Sequence, residues 1–302
     1  MTVIIAFTAN VLVAIAKSVA AALTGSASML AEAAHSWADA GNEVFLIVAD
    51  KRSAKPKDER HPLGYGREAY VWSLIAAFGI FTAGAVVSVM HGVQQLSHPG
   101  PVESPSIAYI VLGAAFVLEG VSFTQATIQV RRRSRKLRVS PVRLVLSGSD
   151  TTLRAVFAED SAALIGVLLA ASGIFLHQIT GNAIWDAIGS IAIGVLLGVV
   201  ALVLIDRNRK FLVGAESSPR VRAEVGQQLL AHSDIERVTY LHLEYVGPGR
   251  LFLVAEVDMV GNDDENDVAI ELRRLERELE SHEGIETAVL SLSVNDEESL
   301  TF

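Results

Sequence analysis

The chain has 302 residues, 51% of them hydrophobic and 20% charged, with no cysteine and a mean hydropathy of +0.39. That length suits about two domains, and the composition is too apolar for an ordinary soluble enzyme yet too charged for a chain buried in lipid throughout, so two unlike parts are expected. The lack of cysteine excludes disulfide scaffolds, thiolate zinc sites, iron–sulfur clusters and cysteine nucleophiles; a metal here must be held by His, Asp, Glu or Asn. Charge divides in the same way: residues 1–210 carry 18 Lys and Arg against 14 Asp and Glu, a net of +4, whereas residues 211–302 carry 7 against 20, a net of −13. An acidic tail of this size argues against nucleic acid as a partner, which selects a basic stripe.

Six apolar stretches fill the first part, at Val3–Leu23, Ala27–Ala49, Ala69–Leu96, Ser106–Val130, Leu153–Gln178 and Ala183–Ile205. A spanning helix needs about 20 residues, so six membrane helices are predicted. The first stretch lacks a basic region ahead of its apolar run and holds Lys17 late within it, so it reads as a mature helix rather than a signal peptide. Basic residues crowd alternate loops: Lys51 to Arg67, Arg131 to Arg143, and Arg207 to Lys210, while the segments near 24–26, 97–105 and 179–182 have no Lys or Arg. The positive-inside rule then places both termini in the cytoplasm, in a multi-pass protein of the lipid bilayer, the cell membrane if the source is prokaryotic.

The remainder reads as a small α+β domain. An amphipathic helix over Ser217–Ala231 precedes two alternating strands, Val238–Val246 and Leu251–Val260, around Gly247-Pro248-Gly249; a charged helix over Asp264–Ser281 and a strand over Thr287–Val294 follow. The predicted architecture is an α-helical membrane protein: a six-helix bundle over 1–208, then an αββαβ, ferredoxin-like cytoplasmic domain over 209–302.

Ionisable residues inside a membrane are costly and therefore mark candidate sites. The second stretch has the densest set, Glu32, His35, Asp39 and Glu43, with Asn42 beside them. His35 and Asp39, at i and i+4, share a helix face and suit a zinc-sized cation, with Asn42 near the same face; alternatively they form a neutral His hydrogen-bonded to Asp in a packed bundle. The fifth stretch adds Glu159 and Asp160, which diverge by about 100° around the helix. Asp160 begins the small-residue run Ser161-Ala162-Ala163-Leu164-Ile165-Gly166, which permits close helix approach. His35, Asp39 and Asp160 would give three ligands, with water or another side chain as the fourth, while Glu159 instead faces a cytoplasmic cavity or a basic partner. Lys17 and Glu119 read as structural counter-charges, Asp186 as a cap on the sixth helix, and Asp58 with His61 in the first basic loop as a weak second ion site.

At these residues the chain resembles the cation diffusion facilitator family. The resemblance rests on Thr24-Gly25-Ser26, the His35-Ser36-Trp37-Ala38-Asp39 element, His61-Pro62-Leu63-Gly64-Tyr65-Gly66-Arg67-Glu68, Glu159-Asp160-Ser161 and the αββαβ tail. The Tyr-containing loop and the Glu-Asp pair look like the zinc transporter 9-like branch. The resemblance implies a homodimeric exporter of divalent metal, usually Zn²⁺, coupled to inward H⁺ flow, with no prosthetic group and no enzymatic activity. Two departures stand out. Val156 replaces the ligand that many members carry four residues before the fifth-helix Asp, reducing the transport site to His35, Asp39 and Asp160, and Tyr65 replaces a loop His. His232, His242 and His282 do not fall where some members place metal-binding strand histidines, and read as surface residues. The leading expectation is proton-coupled export by alternating access, with the tail holding the dimer. A rival is a membrane receptor or scaffold whose acidic tail recruits a partner. An intramembrane hydrolase would need a His-Glu-x-x-His type motif, which the sequence lacks.

Overall fold

Apolar stretches long enough to span a bilayer close their backbone hydrogen bonds internally only as helices or closed barrels, and here they are helices. The structure, a computed structural model, describes residues 2–100, 102–261, 264–294 and 296–302, with side chains from residue 7 onward. Two units are present, Met1–Ala49 with Val71–Arg209 and Asp50–Tyr70 with Lys210–Phe302. The loop 50–70 thus groups with the tail rather than with the helices on either side of it.

The helices are α1 (Thr2–Thr24), α2 (Ala27–Ser53), α3 (Glu68–Gly79), α4 (Val87–Ser97), α5 (Pro105–Lys136), the short α6 (Pro141–Ser147), α7 (Thr151–Thr180) and α8 (Ile184–Leu212). A π-helical segment, Ile80–Val86, joins α3 to α4, so Glu68–Ser97 is one continuous rod. All six predicted stretches are helical. Five of the resulting spans are long and apolar enough to cross a membrane. The exception is α2: its 27 residues, about 40 Å at the α-helical rise, have the length, but its charged and amide side chains lower its apolarity.

The turn Thr24-Gly25-Ser26 has a distinct physical role at each position. Gly25 adopts φ +64° and donates to Ala21 O, ending α1 in the left-handed conformation that favours glycine. Ser26 Oγ accepts from Met29 N at 3.1 Å and starts α2. Asp186, expected to cap its own helix, instead caps this one. Its carboxylate accepts from Ser26 Oγ and Ala27 N at 2.7 Å each and from Ser28 N at 3.3 Å. The reason is geometric: the first turn of α8 lies against the start of α2, whose unpaired N–H groups and positive dipole end attract the carboxylate. On the opposite flank, fully buried Arg154 of α7 donates to Val145 O, Gly148 O and Asn208 Oδ1, fixing the connection that contains α6.

In the second unit, α9 (Pro219–Leu230) and α10 (Glu265–Ser281) pack on a three-stranded sheet of β1 (Ile235–Gly247), β2 (Arg250–Met259) and β3 (Ile285–Leu292). The strand order is β1-β2-β3, with β1 and β2 antiparallel and β2 and β3 parallel. The predicted αββαβ order is observed. Alternation places Leu241, Leu243, Leu253, Ala255 and Leu290 on the buried face against Leu229 and Leu275 of the helices. Both sheet edges are covered. Glu280 and Glu276 of α10 accept from Ala288 N and Leu290 N of β3, and backbone from 215, 217 and 300 bonds to Tyr245, Leu243 and Val238 of β1. The loop 50–70 docks at the β1–β2 end. A Cβ on Gly66 would sit 2.8 Å from Gly247 Cα, so only glycine permits that approach. Arg67 pairs with Glu244, Lys57 donates to Thr287 Oγ1 at 2.9 Å, and Tyr70 stacks on Phe211 at 5.1 Å.

Loss of the carboxylate cap in Asp186→Ala is expected to destabilise the helical unit by about 1–2 kcal/mol. Thermal unfolding of the purified protein in detergent checks this; an unchanged midpoint would show that the cap contributes nothing.

Candidate metal centre

The polar residues of α2 face inward. Glu32 and His35 are fully buried and Asn42 nearly so. They face helices with little side-chain bulk: Ala162, Ala163, Gly166 and Ala170 of α7 are all buried. A Cβ on Gly166 would collide with Glu32 Oε1 and meet the His35 ring at 4.0 Å, so glycine there makes room for the acid and the imidazole together.

His35 and Asp39 are brought together as their spacing predicts, with Nδ1 3.3 Å from Asp39 Oδ1. Yet among the described residues neither His35 nitrogen, nor that oxygen, makes a hydrogen bond of usable geometry, and all three atoms are buried. The simple alternative, an imidazole satisfied by donating to Asp39, is therefore not formed. Buried polar atoms without partners are expensive, and ligands awaiting a cation are one explanation of their persistence.

The other candidates are placed differently. Asp160 accepts from Ser122 Oγ of α5 at 2.8 Å, and Glu159 accepts from Asn42 Nδ2 at 2.5 Å. Among the described residues no three His, Asp or Glu side chains gather closely enough to hold one ion, so the structure pairs His35 with Asp39 and leaves Asp160 outside that pair. Glu159, expected to meet a cavity or a basic residue, meets an amide instead, because Asn42 lies one turn past Asp39 on the facing helix. Glu43 accepts from Asn10 of α1 at 3.1 Å. Lys17 is a counter-charge as read from the sequence. Its main partner is Glu32, at 2.9 Å with both side chains fully buried, and Glu119 is second at 3.9 Å. Ser122 and Asn10 escape a search for ionisable residues, although Ser122 lies three residues past Glu119 and so shares its face.

In the loop, Asp58 and His61 are exposed and serve the loop itself. Asp58 accepts from Tyr65 Oη at 2.6 Å, from His61 N at 2.8 Å and from Arg60 N at 3.0 Å, with His61 Nδ1 3.1 Å away. The His61 and Tyr65 rings are in contact, with centroids 3.9 Å apart and planes tilted by 31°. The Tyr65 phenol, supported by the imidazole and the backbone donors, holds the Asp58 carboxyl down at about 2.

A bundle of long apolar helices that buries an imidazole and several carboxylates, in a chain that also carries a small α+β unit, defines a multi-pass membrane protein. The chain belongs to the cation efflux family: residues 3–213 match its cation efflux transmembrane domain. It is 35% identical over 259 residues to the proton-coupled zinc antiporter SLC30A9, mitochondrial, of Homo sapiens, covering 86% of this chain and 46% of that protein. It is 36% identical over 233 residues to metal tolerance protein C4 of Arabidopsis thaliana, covering 77% and 51%. The magnetosome protein MamB of Paramagnetospirillum magneticum is 26% identical over 242 residues, covering 80% of this chain and 76% of that one. The chain spans about half the length of the first two of these relatives. The match to SLC30A9 agrees with the zinc transporter 9-like branch read from the loop and the Glu-Asp pair.

Tyr65→Phe is expected to raise the Asp58 carboxyl toward its ordinary value, because the phenolic donor favours the ionised form. The depressed value stabilises the loop above the unfolded carboxyl's titration range, and that contribution disappears as pH falls toward 2. Carboxyl NMR titration of the two proteins checks this; identical Asp58 curves would remove the phenol as the cause.

Proposed function

We propose that this protein is a transporter rather than an enzyme, and that it exports a divalent metal, Zn²⁺ foremost, from the cytoplasm in exchange for protons by alternating access. The observation that carries the reading is the set of buried, unpartnered ligand atoms on one face of α2: both nitrogens of His35 and Oδ1 of Asp39. The names of the relatives SLC30A9 and metal tolerance protein C4 support metal as the cargo, and the former supports zinc and proton coupling.

His35, Asp39 and Asp160 hold the metal in this reading, with water as the fourth ligand in the absence of a donor at Val156. Ser122 acts as an outer partner that orients the Asp160 carboxylate. Asp160 stands apart from the α2 pair in this structure, which suits a site completed in one conformation and opened in the other. Neutral imidazole and ionised carboxylates bind metal while their protonated forms do not, so protons and metal compete for the same atoms. Asn42 and Glu159 form a satisfied pair beside the site and stay out of the inner coordination. Asp58 and His61 are already committed to their loop. The resulting orientation has both termini cytoplasmic and the tail, 209–302, joining two copies of the chain. The donor set alone does not choose Zn²⁺ over Mn²⁺, Fe²⁺, Co²⁺ or Cd²⁺, because affinity follows the same order at most such sites.

Purified protein in proteoliposomes should take up zinc when a proton gradient is imposed. Asp39→Ala and Asp160→Ala should each reduce uptake by at least about tenfold, the scale at which even outer partners of metal ligands act. Undiminished uptake by both variants would rule out this ligand set, and a receptor or scaffold would show no flux at all.

A further inference from the structure

Within the helical unit the charges near the metal ligands do not balance. The Lys17 ammonium lies between two carboxylates, 2.9 Å from Glu32 and 3.9 Å from Glu119, and among the described residues no other cation pairs with either acid. A divalent ion held by Asp39 and Asp160 has its charge met by those two groups. Lys17 meets the charge of Glu32, whose side chain is fully buried against it. Glu119 is then an anion without a cation of its own, in surroundings where an uncompensated charge is costly. Its side chain is 16% exposed, whereas that of Glu32 is fully buried.

We propose that Glu119 is an exchangeable proton site of the transport cycle, separate from the metal ligands and held in place by Lys17. The proposal rests on the reading of the chain as a proton-coupled metal exporter. The charged groups that face Glu119 are Lys17 from α1, Glu32 and Asp39 from α2 and Asp160 from α7; α6, which also packs on α5, offers only the exposed Arg143. Helix α5 carries Glu119 and Ser122 at i and i+3, so Glu119 lies one turn along the helix from the serine that bonds to Asp160. A cation arriving at Asp160 favours the ionised form of Glu119, and its proton leaves to water. When the metal departs, the acid takes up a proton again. Lys17 holds the ionised form in place between these events.

The test counts protons. Calorimetric zinc titrations of the full-length protein in buffers of different ionisation enthalpy give the number of protons released per zinc bound. In Glu119→Gln that number is expected to fall by about one while zinc binding persists. In proteoliposomes the protons moved per zinc should fall correspondingly, with zinc still carried down its own gradient. Glu119→Asp, which keeps a titratable group, should restore the count. If the Gln variant does not fold, infrared difference spectra decide: zinc should remove a protonated-carboxyl band from the parent, and Glu119→Asp should shift that band. An unchanged proton count in Glu119→Gln, or a band that Glu119→Asp leaves in place, overturns the proposal while leaving metal transport intact. Failure of the unmodified protein to bind or carry zinc overturns the reading of function and this proposal with it.

Discussion

The burial of a polar face on α2 is the constraint on which the helical unit depends. Glu32, His35 and Asn42 have essentially no exposure, so each needs a partner inside the protein or a reason to lack one. Glu32 has Lys17, Asn42 has Glu159, and the two nitrogens of His35 have no hydrogen-bond partner among the described residues. Polar side chains of this size also need room, which α7 provides by presenting alanine and glycine where a typical core would place leucine. The same demand explains why α2 is the helix that falls short on apolarity: what it withholds from lipid it turns toward its neighbours.

The loop between α2 and α3 shows basic residues in two roles. Their excess over acids in alternate loops is a topological signal, but Lys57 and Arg67 also pair with Glu286 and Glu244 of the acidic tail. Each such pair is partly exposed and individually weak. Together with the close approach of Gly66 to the β1–β2 turn and the aromatic stack of Tyr70 on Phe211, they make the loop part of the second unit's structure. The charge imbalance of the two sequence halves is thus partly a record of complementary surfaces.

Periodicity made the long helices and the αββαβ tail legible, since apolar runs and strict alternation are local properties of the chain. The His35–Asp39 pair was legible for the same reason, because both residues lie on one helix. What escaped the sequence depends on contacts between distant segments. Asp186 lies in the first turn of α8, where capping its own helix is the local expectation, and only the packing of α8 against the start of α2 redirects it across 160 residues. Ser122 carries no charge and acquires meaning only opposite Asp160. The π-helical segment at Ile80–Val86 and the short α6 leave no periodic signature that separates them from their flanks. The position of Asp160 relative to His35 and Asp39 likewise belongs to tertiary packing, which spacing within one helix does not fix.

The covered edges of the tail sheet have a consequence for life at a crowded membrane. Proteins confined to a surface meet each other far more often than the same number free in solution, and unpaired strand edges invite chain-to-chain stitching. Here two glutamates of α10 occupy outward N–H groups of β3, while on β1 the Tyr245 N–H donates to Ala215 O and the Leu243 and Val238 carbonyls accept from Ser217 N and Leu300 N. Continuous sheets running from one molecule to the next are thereby disfavoured. A contact between two such units would have to be made by side-chain surfaces rather than by strand pairing, and could form and break without any strand being peeled from its neighbour.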